Sequence, residues 1–566
     1  MAKQNKTDLQ NIPAAAAGFI NRVISKMRYR RRVCRDVRAE LAAHFEDELR
    51  GCKTDEERQQ KALEVIAGFG DVKMLAALLR RAKRRCRPLW RTVVARSFQT
   101  AGLLILCLIL YTVWFSTGKP TISIDYTAML NQMSRPDLRD EDNAWPSYKK
   151  AASLYIKPAD FEPDDPNFES LYCSAGSFDV RPKLADLNEN EKQEVKKWVE
   201  LNQPAWQGFE TAAAKSYCYR EYAHDPNDEE RWLLSIMLPH ISDIRSVATV
   251  GIWRSRIAAE QGRIHQSLDD CIAVARAGSH WQGKGTLVEQ LVGTAMTRMA
   301  CREIVSILEA NNPPADLLRQ TCRELSDIYP NGYTPMNVEG ERIGFMDTVQ
   351  HVFTKGGLGG GHLIPGAWAC IADEPIYSLE GQDKMLFMPL YAAESMIHAR
   401  RDKTIAKANE FYSRQEKYTK LTPYQRQAAN IETAGDMINS LPRHKFFLLH
   451  ILTPALDRVA ELGFRGKASY QATLTILALK RFQAEKGQHP DNLDELLTAG
   501  FLDELPMDPY NDKPLVYKKT DDNFTLYSLG PNFQDDAGHP GKTEKGQIAD
   551  WRDNGDTVFW PVPKTR

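Results

Sequence analysis

Apolar residues near the start of the chain recur with the period of an α-helix. Between residues 31 and 51 they stand four positions apart with charged residues between them, at Val33, Val37, Leu41, Phe45 and Leu49. This spacing places them on one face of an amphipathic helix. A capping box at Thr54 and Glu57 predicts a second helix, and Gly70 predicts its end. We therefore expect a helical bundle over residues 14–86.

A membrane-spanning helix is predicted over residues 97–116. The stretch carries no charge between Arg96 and Lys119, and twenty residues at 1.5 Å each span about 30 Å, the thickness of a hydrocarbon core. Aromatic residues, which prefer the headgroup interface, cluster at its far end: Tyr111, Trp114 and Phe115. Basic residues crowd its near end: Arg80, Arg81, Lys83, Arg84, Arg85, Arg87, Arg91 and Arg96. The positive-inside rule then places the N-terminus in the cytoplasm.

Helical periodicity continues beyond the span, over residues 117–462. The clearest helical segments are His240 to Glu260, Ile264 to Ala277, Leu287 to Ala310, Ala315 to Ile328, Leu390 to Glu416 and Phe446 to Leu462. A turn at Gly262 joins the first two into a hairpin that is loosely similar to a tetratricopeptide unit, although the sequence shows no clear repeat. This region is expected to be an extracytoplasmic helical array.

The pattern changes in residues 466–566, where strands appear. A helix is predicted from Lys467 to Lys486, with Gly487 as its stop. Two short strands follow a short helix, at Leu515 to Lys518 and Phe524 to Ser528. The predicted fold class is therefore mainly α, ending in a small α+β domain.

Charge divides the chain at the predicted span. Residues 1–96 carry 23 Lys and Arg against 11 Asp and Glu, a net charge of +12, whereas the whole chain is neutral with 74 of each sign. The remainder is therefore at −12. This split favours a basic part beside an anionic membrane surface, with nucleic acid as the competing partner. The predicted order is a disordered lead at 1–13, the bundle, a basic juxtamembrane segment at 87–96, the span and the two outer domains.

Two segments resemble known families. The N-terminal VRAELAAHFEDEL, followed by a capped helix and Phe-Gly-Asp, is similar to the HAAS-type or permease-prefix helical domains of bacterial membrane proteins. That resemblance implies a cytoplasmic protein-interaction module without catalysis. Together with EDNAWPSYKKA and the helical middle, the whole chain resembles a group of bacterial single-pass anchored proteins. This kinship implies an architecture and no mechanism.

The C-terminal segment resembles the major pseudopilin of type II secretion systems. The motifs are ALKRFQAEKGQHP, LDELL, LPMDPYNDKPLVY and LYSLGPNFQDDAG, in that order. The resemblance implies a calcium-binding last loop, with Asp535, Asp536 and Asp550 in the comparable stretch, and carboxylate oxygens suit this hard cation. An acidic surface turn is the alternative. The chain lacks the cleavable leader and the long apolar N-terminal helix of that family, which argues against filament assembly.

Catalytic motifs are absent from the sequence. There is no HExxH, GxSxG, Walker or GxGxxG pattern. His362, with Glu339 and Glu341 upstream, is the most enzyme-like grouping, and the glycine-rich stretch from Lys355 to His362 fits a surface loop better than a phosphate loop. Six cysteines in the outer part leave disulfides open, and none forms a CxxC pair: Cys173, Cys218, Cys271, Cys301, Cys322 and Cys370.

The leading functional expectation is a membrane-anchored extracytoplasmic binding or scaffold protein. Its partners would be membrane lipid and proteins on both sides of the membrane, without specific nucleic acid. The alternatives are an extracytoplasmic hydrolase and an accessory component of a secretion or envelope-assembly system. The expected location is the bacterial cytoplasmic membrane.

Overall fold

A computed structural model of the chain divides it into two units, Met1–Tyr111 and Thr112–Arg566. The structure describes residues 9–85, 89–161, 184–224, 232–236, 238–356, 360–364, 382–453 and 456–563. The architecture is mainly helical, with small antiparallel sheets near the C-terminus, as the sequence predicts.

Four helices form the N-terminal unit around one hydrophobic core. They are α1 (Ala14–Met27), α2 (Arg31–Glu48), α3 (Asp55–Phe69) and α4 (Val72–Arg85). On the predicted apolar face of α2, Val37, Leu41 and Phe45 are buried. The rings of Phe19, Phe45 and Phe69 meet at centroid distances of 5.7 to 6.2 Å. The predicted capping box opens α3, since Thr54 Oγ1 accepts the backbone N–H of Glu57 at 3.3 Å.

A long helix, α5 (Leu89–Ser116), follows α4, and its residues from Thr112 onward belong to the second unit. The second unit then continues with α6 (Tyr126–Ser134), α7 (Trp145–Leu154), α8 (Glu189–Leu201), α9 (Gln203–Ala213), α10 (Pro239–Glu260), α11 (Ile264–Ser279), α12 (Leu287–Ala310), α13 (Ala315–Ser326) and α14 (Glu339–Val352). The helix boundaries predicted around Gly262 and before Leu287 agree with these bounds to within two residues.

The remaining helices lead into the sheets. They are α15 (Gln382–Ile397), α16 (Arg401–Lys420), α17 (Pro423–Ala428), α18 (Ala434–Asn439), α19 (Phe447–Leu452), α20 (Leu456–Lys486) and α21 (Asp494–Thr498). Strands β1 (Met507–Asp508) and β2 (Lys513–Pro514) form one antiparallel pair. Strands β3 (Val516–Lys519), β4 (Phe524–Ser528) and β5 (Thr557–Trp560) form a second antiparallel sheet in that order, with an irregular register at Leu526 and Tyr527.

The helices α11 and α12 cross at a pair of glycines. A Cβ added to Gly293 would lie 2.4 Å from the carbonyl oxygen of Gly278, and one added to Gly278 would lie 2.7 Å from the carbonyl oxygen of Gly293. Any larger residue at either position would force the backbones apart, because a Cβ cannot approach an oxygen so closely. The two glycines therefore set the spacing of the helix pair that forms the centre of the second unit.

One hydrophobic core joins the helical middle to the C-terminal sheet. It contains Tyr148 of α7 and Ile304 of α12 together with Leu477 of α20, Leu526 of β4 and Trp560 of β5. The predicted packing of a long helix on a small antiparallel sheet is present. The long helix starts at Leu456, however, and runs unbroken through the predicted domain boundary at 462–466.

Candidate functional site

The helix α5 exposes its apolar side chains. The segment Val93–Ser116 has a mean hydropathy of 2.0, and none of its most apolar window is buried. Eight of its aliphatic residues are more than half exposed: Val93, Leu103, Leu104, Ile105, Leu106, Ile109, Leu110 and Val113. Exposed apolar surface on this scale marks contact with a membrane or with another protein. Among the described residues, this is the one helix long and apolar enough to cross a membrane.

The last turn of α5 packs on a loop of the second unit. The indole of Trp114 lies 4.1 Å from the imidazole of His362, centroid to centroid, and the ring of Phe115 lies 6.0 Å from it. The backbone N–H of Thr354 donates to the carbonyl of His362 at 2.9 Å. His362 therefore serves as a contact between the end of this helix and the segment from Thr354 to Leu363.

The enzyme-like grouping of the sequence has separate partners in the structure. Glu339 pairs with Arg342 at 2.5 Å, and Glu341 accepts the backbone N–H of Leu287 at 3.1 Å. Burial raises the pKa of the Glu341 carboxyl. No hydrogen bond or ion pair between described residues joins Glu339, Glu341 and His362, so each has a local contact of its own.

The glycine-rich stretch is described only in part. Residues 357–359 lie outside the described residues, whereas Gly360 and Gly361 adopt positive φ angles of 76° and 69°. Their carbonyls accept the backbone N–H groups of Asp402 and Arg401, both at 3.2 Å. The described part of the loop is thus fastened to the start of α16.

A buried carboxylate that the sequence analysis missed lies at the start of α12. Glu289 is 4% exposed, and its Oε2 accepts the phenol of Tyr222 at 2.5 Å and the backbone N–H and hydroxyl of Thr286 at 2.9 and 2.8 Å. Burial, and then the charge of Glu289, raise the pKa of Tyr222. The phenol therefore remains a donor, and the network ties the segment around Tyr222 to the head of the helix.

A half-buried histidine, His280, forms a second network. The Nε2 of His280 lies 3.0 Å from the carbonyl of Lys215, so it carries the proton, and Nδ1 accepts the Tyr148 hydroxyl at 2.9 Å. Burial lowers the pKa of His280 to about 4, although the bond to the Lys215 carbonyl opposes the shift. This geometry holds the ring neutral, and it joins α7 to the end of α11.

A buried ion pair lies between α10 and α11. The Nε of Arg254 donates to both carboxylate oxygens of Asp270, at 3.2 and 3.1 Å, and Asp270 is 1% exposed. Burial raises the pKa of the Asp270 carboxyl to about 7, against the opposing charge of Arg254. Carboxyl groups with a shifted pKa often mark functional sites. A carboxylate whose two oxygens both accept from one guanidinium, however, has a structural role.

The three aspartates of the predicted calcium site have different partners in the structure. Asp535 Oδ1 accepts the phenol of Tyr527 at 2.8 Å, and Asp536 Oδ2 accepts the Asn532 amide at 2.7 Å. Asp550 instead pairs with Arg302 of α12 at 2.6 Å. These contacts occupy one oxygen of each carboxylate, and calcium binding at this loop stays a prediction.

Asp556 is the residue of this loop that the sequence analysis missed. It is 1% exposed and accepts the backbone N–H groups of Gly538 at 2.7 Å and Asp536 at 3.3 Å. Burial, with the charges of Asp536 and Asp535, raises the pKa of its carboxyl. No local signal reveals this role, because twenty residues separate Asp556 from Asp536. Among the described residues, no group of three or more His, Cys, Asp or Glu side chains could hold a metal ion.

Four of the six cysteines that follow α5 are free thiols: Cys218, Cys271, Cys301 and Cys322. Burial raises the pKa of the Cys301 thiol to about 12 and that of Cys322 to about 11, so both stay protonated and behave as small apolar side chains. Cys173 and Cys370 lie outside the described residues.

Comparison with family models, with curated proteins and with solved structures finds no match for this chain. The resemblances to HAAS-type domains and to the pseudopilin therefore rest on the sequence motifs alone.

Proposed function

We propose that this protein is a membrane-anchored binding or scaffold protein with a cytoplasmic interaction module and a large extracytoplasmic helical region. The observation that carries the proposal is the exposed apolar segment Val93–Ser116, which follows a basic helical unit and precedes a region of opposite net charge. A bilayer covers such a helix completely, whereas water would leave its aliphatic side chains exposed.

Charge supports the orientation with the N-terminus inside. The N-terminal 96 residues carry a net charge of +12, and the remainder carries −12. Each Lys or Arg near an anionic leaflet contributes roughly 1 kcal/mol. The basic segment therefore favours the cytoplasmic face of a bacterial inner membrane. Lipid is the anionic surface in this proposal, and sequence-specific nucleic acid is not required.

An exposed apolar face supports the role of the N-terminal unit in protein binding. Met74 and Leu78 are 67% and 52% exposed, and they stand one turn apart on α4. Leu63 of α3 is 55% exposed. Exposed apolar side chains at this spacing are typical of a helix face that docks into the hydrophobic groove of a protein partner.

Satisfied polar networks support binding over hydrolysis in the outer region. Glu289, His280 and Asp270 all have protein partners at hydrogen-bond distance, and these contacts join segments that are distant in sequence. A general base must reach a substrate proton, whereas these groups are used to fix the helical scaffold.

The orientation is tested with a reporter that is active only outside the cytoplasm. A fusion after residue 566 is expected to be active, and the same reporter fused after residue 85 is expected to be inactive. The opposite pattern would overturn the proposed topology, and activity at neither position would remove the anchor from the proposal.

The interaction module is tested by co-purification of the full chain in detergent. Met74→Glu with Leu78→Glu is expected to release a cytoplasmic protein that the unaltered chain retains. Gln59→Glu with Gln60→Glu adds the same two charges at exposed polar positions of α3 and is expected to retain it. Equal retention by both double variants would show that this face is not the docking surface.

A further inference from the structure

A mixed apolar and basic surface lies on the second unit, which we define as the juxtamembrane patch. Its members are exposed in the structure: Leu390, Met396, Ile397, Arg400, Arg443 and Lys445. Leu390 and Ile397 are 51% and 62% exposed, and because they stand seven residues apart on α15 they share one helix face. Three large apolar side chains at such exposure need an apolar environment.

Backbone contacts hold the two halves of the patch together. The N–H of Ala399 donates to the carbonyl of Lys445 at 2.7 Å, so the basic loop Arg443 to Lys445 lies beside the end of α15. The side chain of Arg400 packs near Gly360, where an added Cβ would lie 3.1 Å from the Arg400 Cβ. Apolar and basic residues therefore occupy one continuous surface, although they come from segments more than forty residues apart.

The same contacts place the patch beside the outer end of the apolar helix. The imidazole of His362 lies against Trp114, and the neighbouring carbonyl of Gly361 accepts the N–H of Arg401 at 3.2 Å. Trp114 is an aromatic residue at the end of the segment that we propose to cross the membrane, and such residues lie at headgroup level. The patch is thus one loop away from the expected depth of the headgroups.

We infer that the juxtamembrane patch binds the outer surface of the bilayer, with its apolar side chains in the interface and its basic side chains on anionic phospholipid headgroups. The inference rests on the proposed membrane anchor and adds a second attachment to it. Positive charge here contrasts with the net −12 of the chain beyond residue 96, and basic residues beside exposed aliphatic ones are the composition that lies on an anionic membrane surface. Helix α5 would then hold a platform fixed against the membrane instead of a freely rotating one.

The test is photo-crosslinking in proteoliposomes that contain the full chain with anionic and zwitterionic phospholipid. A photoreactive residue at position 397 is expected to form a lipid adduct, detected by mass. Position 110, in the proposed span, is the positive control, and position 288, where Val288 is 56% exposed, is the negative control. Arg443→Glu with Lys445→Glu is expected to lower the yield of lipid adduct at position 397 by about five-fold for each of the two basic residues lost. The adduct at position 110 is expected to stay unchanged.

A matched double variant, Lys149→Glu with Lys150→Glu, makes the same charge change at exposed positions of α7 and is expected to leave the adduct at 397 unchanged. Lipid adducts at 110 with none at 397, or a protein adduct at 397, would overturn the inference and leave the anchor in place. No adduct at 110 would instead overturn the anchor. A lipid adduct at position 288 as strong as that at position 397 would also overturn the inference that the patch binds lipid. So would an adduct at 397 that forms equally in purely zwitterionic liposomes.

Discussion

The behaviour of single titratable residues in this protein is set by partners that are distant in sequence. His280 is one of twelve histidines, and its partners Tyr148 and Lys215 lie 132 and 65 residues away. Neither its burial nor its tautomer could be predicted from the surrounding Ser-His-Trp. The partner of Asp550 could not be predicted from the sequence either. Asp550 was predicted as a calcium ligand from its place in an acidic loop, and in the structure it pairs with Arg302.

Acid is expected to destabilise the protein through His280. The native ring has a pKa of about 4, whereas an unfolded histidine titrates near 6.5, so the unfolded state binds more protons between these values. The contribution of the neutral His280 ring to the free energy of unfolding is complete above pH 6.5 and is lost as the pH falls towards 4. At pH 5 the loss is about 2 kcal/mol. Urea unfolding of the detergent-solubilised chain, followed by tryptophan fluorescence at pH 8 and pH 5, measures it.

His280→Gln keeps an amide donor for Lys215 and an acceptor for Tyr148 but cannot titrate. It is expected to reduce the stability difference between pH 8 and pH 5 by about 2 kcal/mol. His398, whose pKa burial also lowers to about 4, should contribute a separate loss of similar size, so His398→Gln is expected to add to it. An unchanged pH dependence in His280→Gln would show that the ring is not held neutral.

Calcium is expected to stabilise the folded state if Asp535 and Asp536 coordinate it. At a hundred times its dissociation constant the gain is about 2.7 kcal/mol, measured as a rise in melting temperature over a chelated sample. Asp536→Ala is expected to remove the rise. Asp521→Ala, which removes an exposed aspartate outside this loop, is the matched control and is expected to keep it. No rise with the unaltered chain would reduce the loop to an acidic turn.

Helices were predictable where end signals were local and were mispredicted where glycines have a packing role. The Thr54 capping box and the Gly487 stop both mark real helix ends. Gly463 and Gly466, in contrast, lie inside α20, which was predicted to begin only at Lys467. A Cβ at Gly466 would lie 2.6 Å from the Tyr333 hydroxyl, and one at Gly463 would lie 2.8 Å from Met336, so both glycines permit close packing and neither ends the helix.

The glycine crossing of α11 and α12 is expected to tolerate no added methyl group. Gly293→Ala would place its Cβ 2.4 Å from the Gly278 carbonyl oxygen, and overpacking of this kind typically costs about 1–3 kcal/mol. Gly344→Ala is the matched control within α14, because no heavy atom lies within 4 Å of its added Cβ. Higher helix propensity should make that variant more stable by up to about 1 kcal/mol. Equal effects in urea unfolding would contradict the close crossing.

One core of the second unit joins its middle helices to its C-terminal strands, and this could not be predicted from local patterns. The sequence predicted separate domains at 117–462 and 466–566, because the strands begin only after the last long helix. Periodicity identifies which faces are apolar but not which distant face covers them. In the structure, Leu477 and Leu526 belong to the same cluster as Leu308 and Ala275. The mainly helical class and the terminal antiparallel strands were predicted correctly.

A core substitution near the C-terminus is therefore expected to weaken distant helices. Leu477→Ala should lower the free energy of unfolding by about 2–5 kcal/mol and reduce amide protection in α11 and in β4 together. Met507→Ala, at a side chain that is 42% exposed, is the control in the same segment and should have little effect. Loss of protection confined to residues after 466 would show that the terminal segment folds independently.

The shared core can be completed only late in the synthesis of the chain. Tyr148 and Trp560 lie in one cluster but are separated by more than four hundred residues. At 5–20 residues per second, a ribosome needs roughly 20–80 s to produce the second residue after the first. During that interval the middle helices exist without the strands that complete their core. Until Trp560 is made, the apolar faces that the strands later cover are exposed, and exposed apolar surface is prone to aggregation.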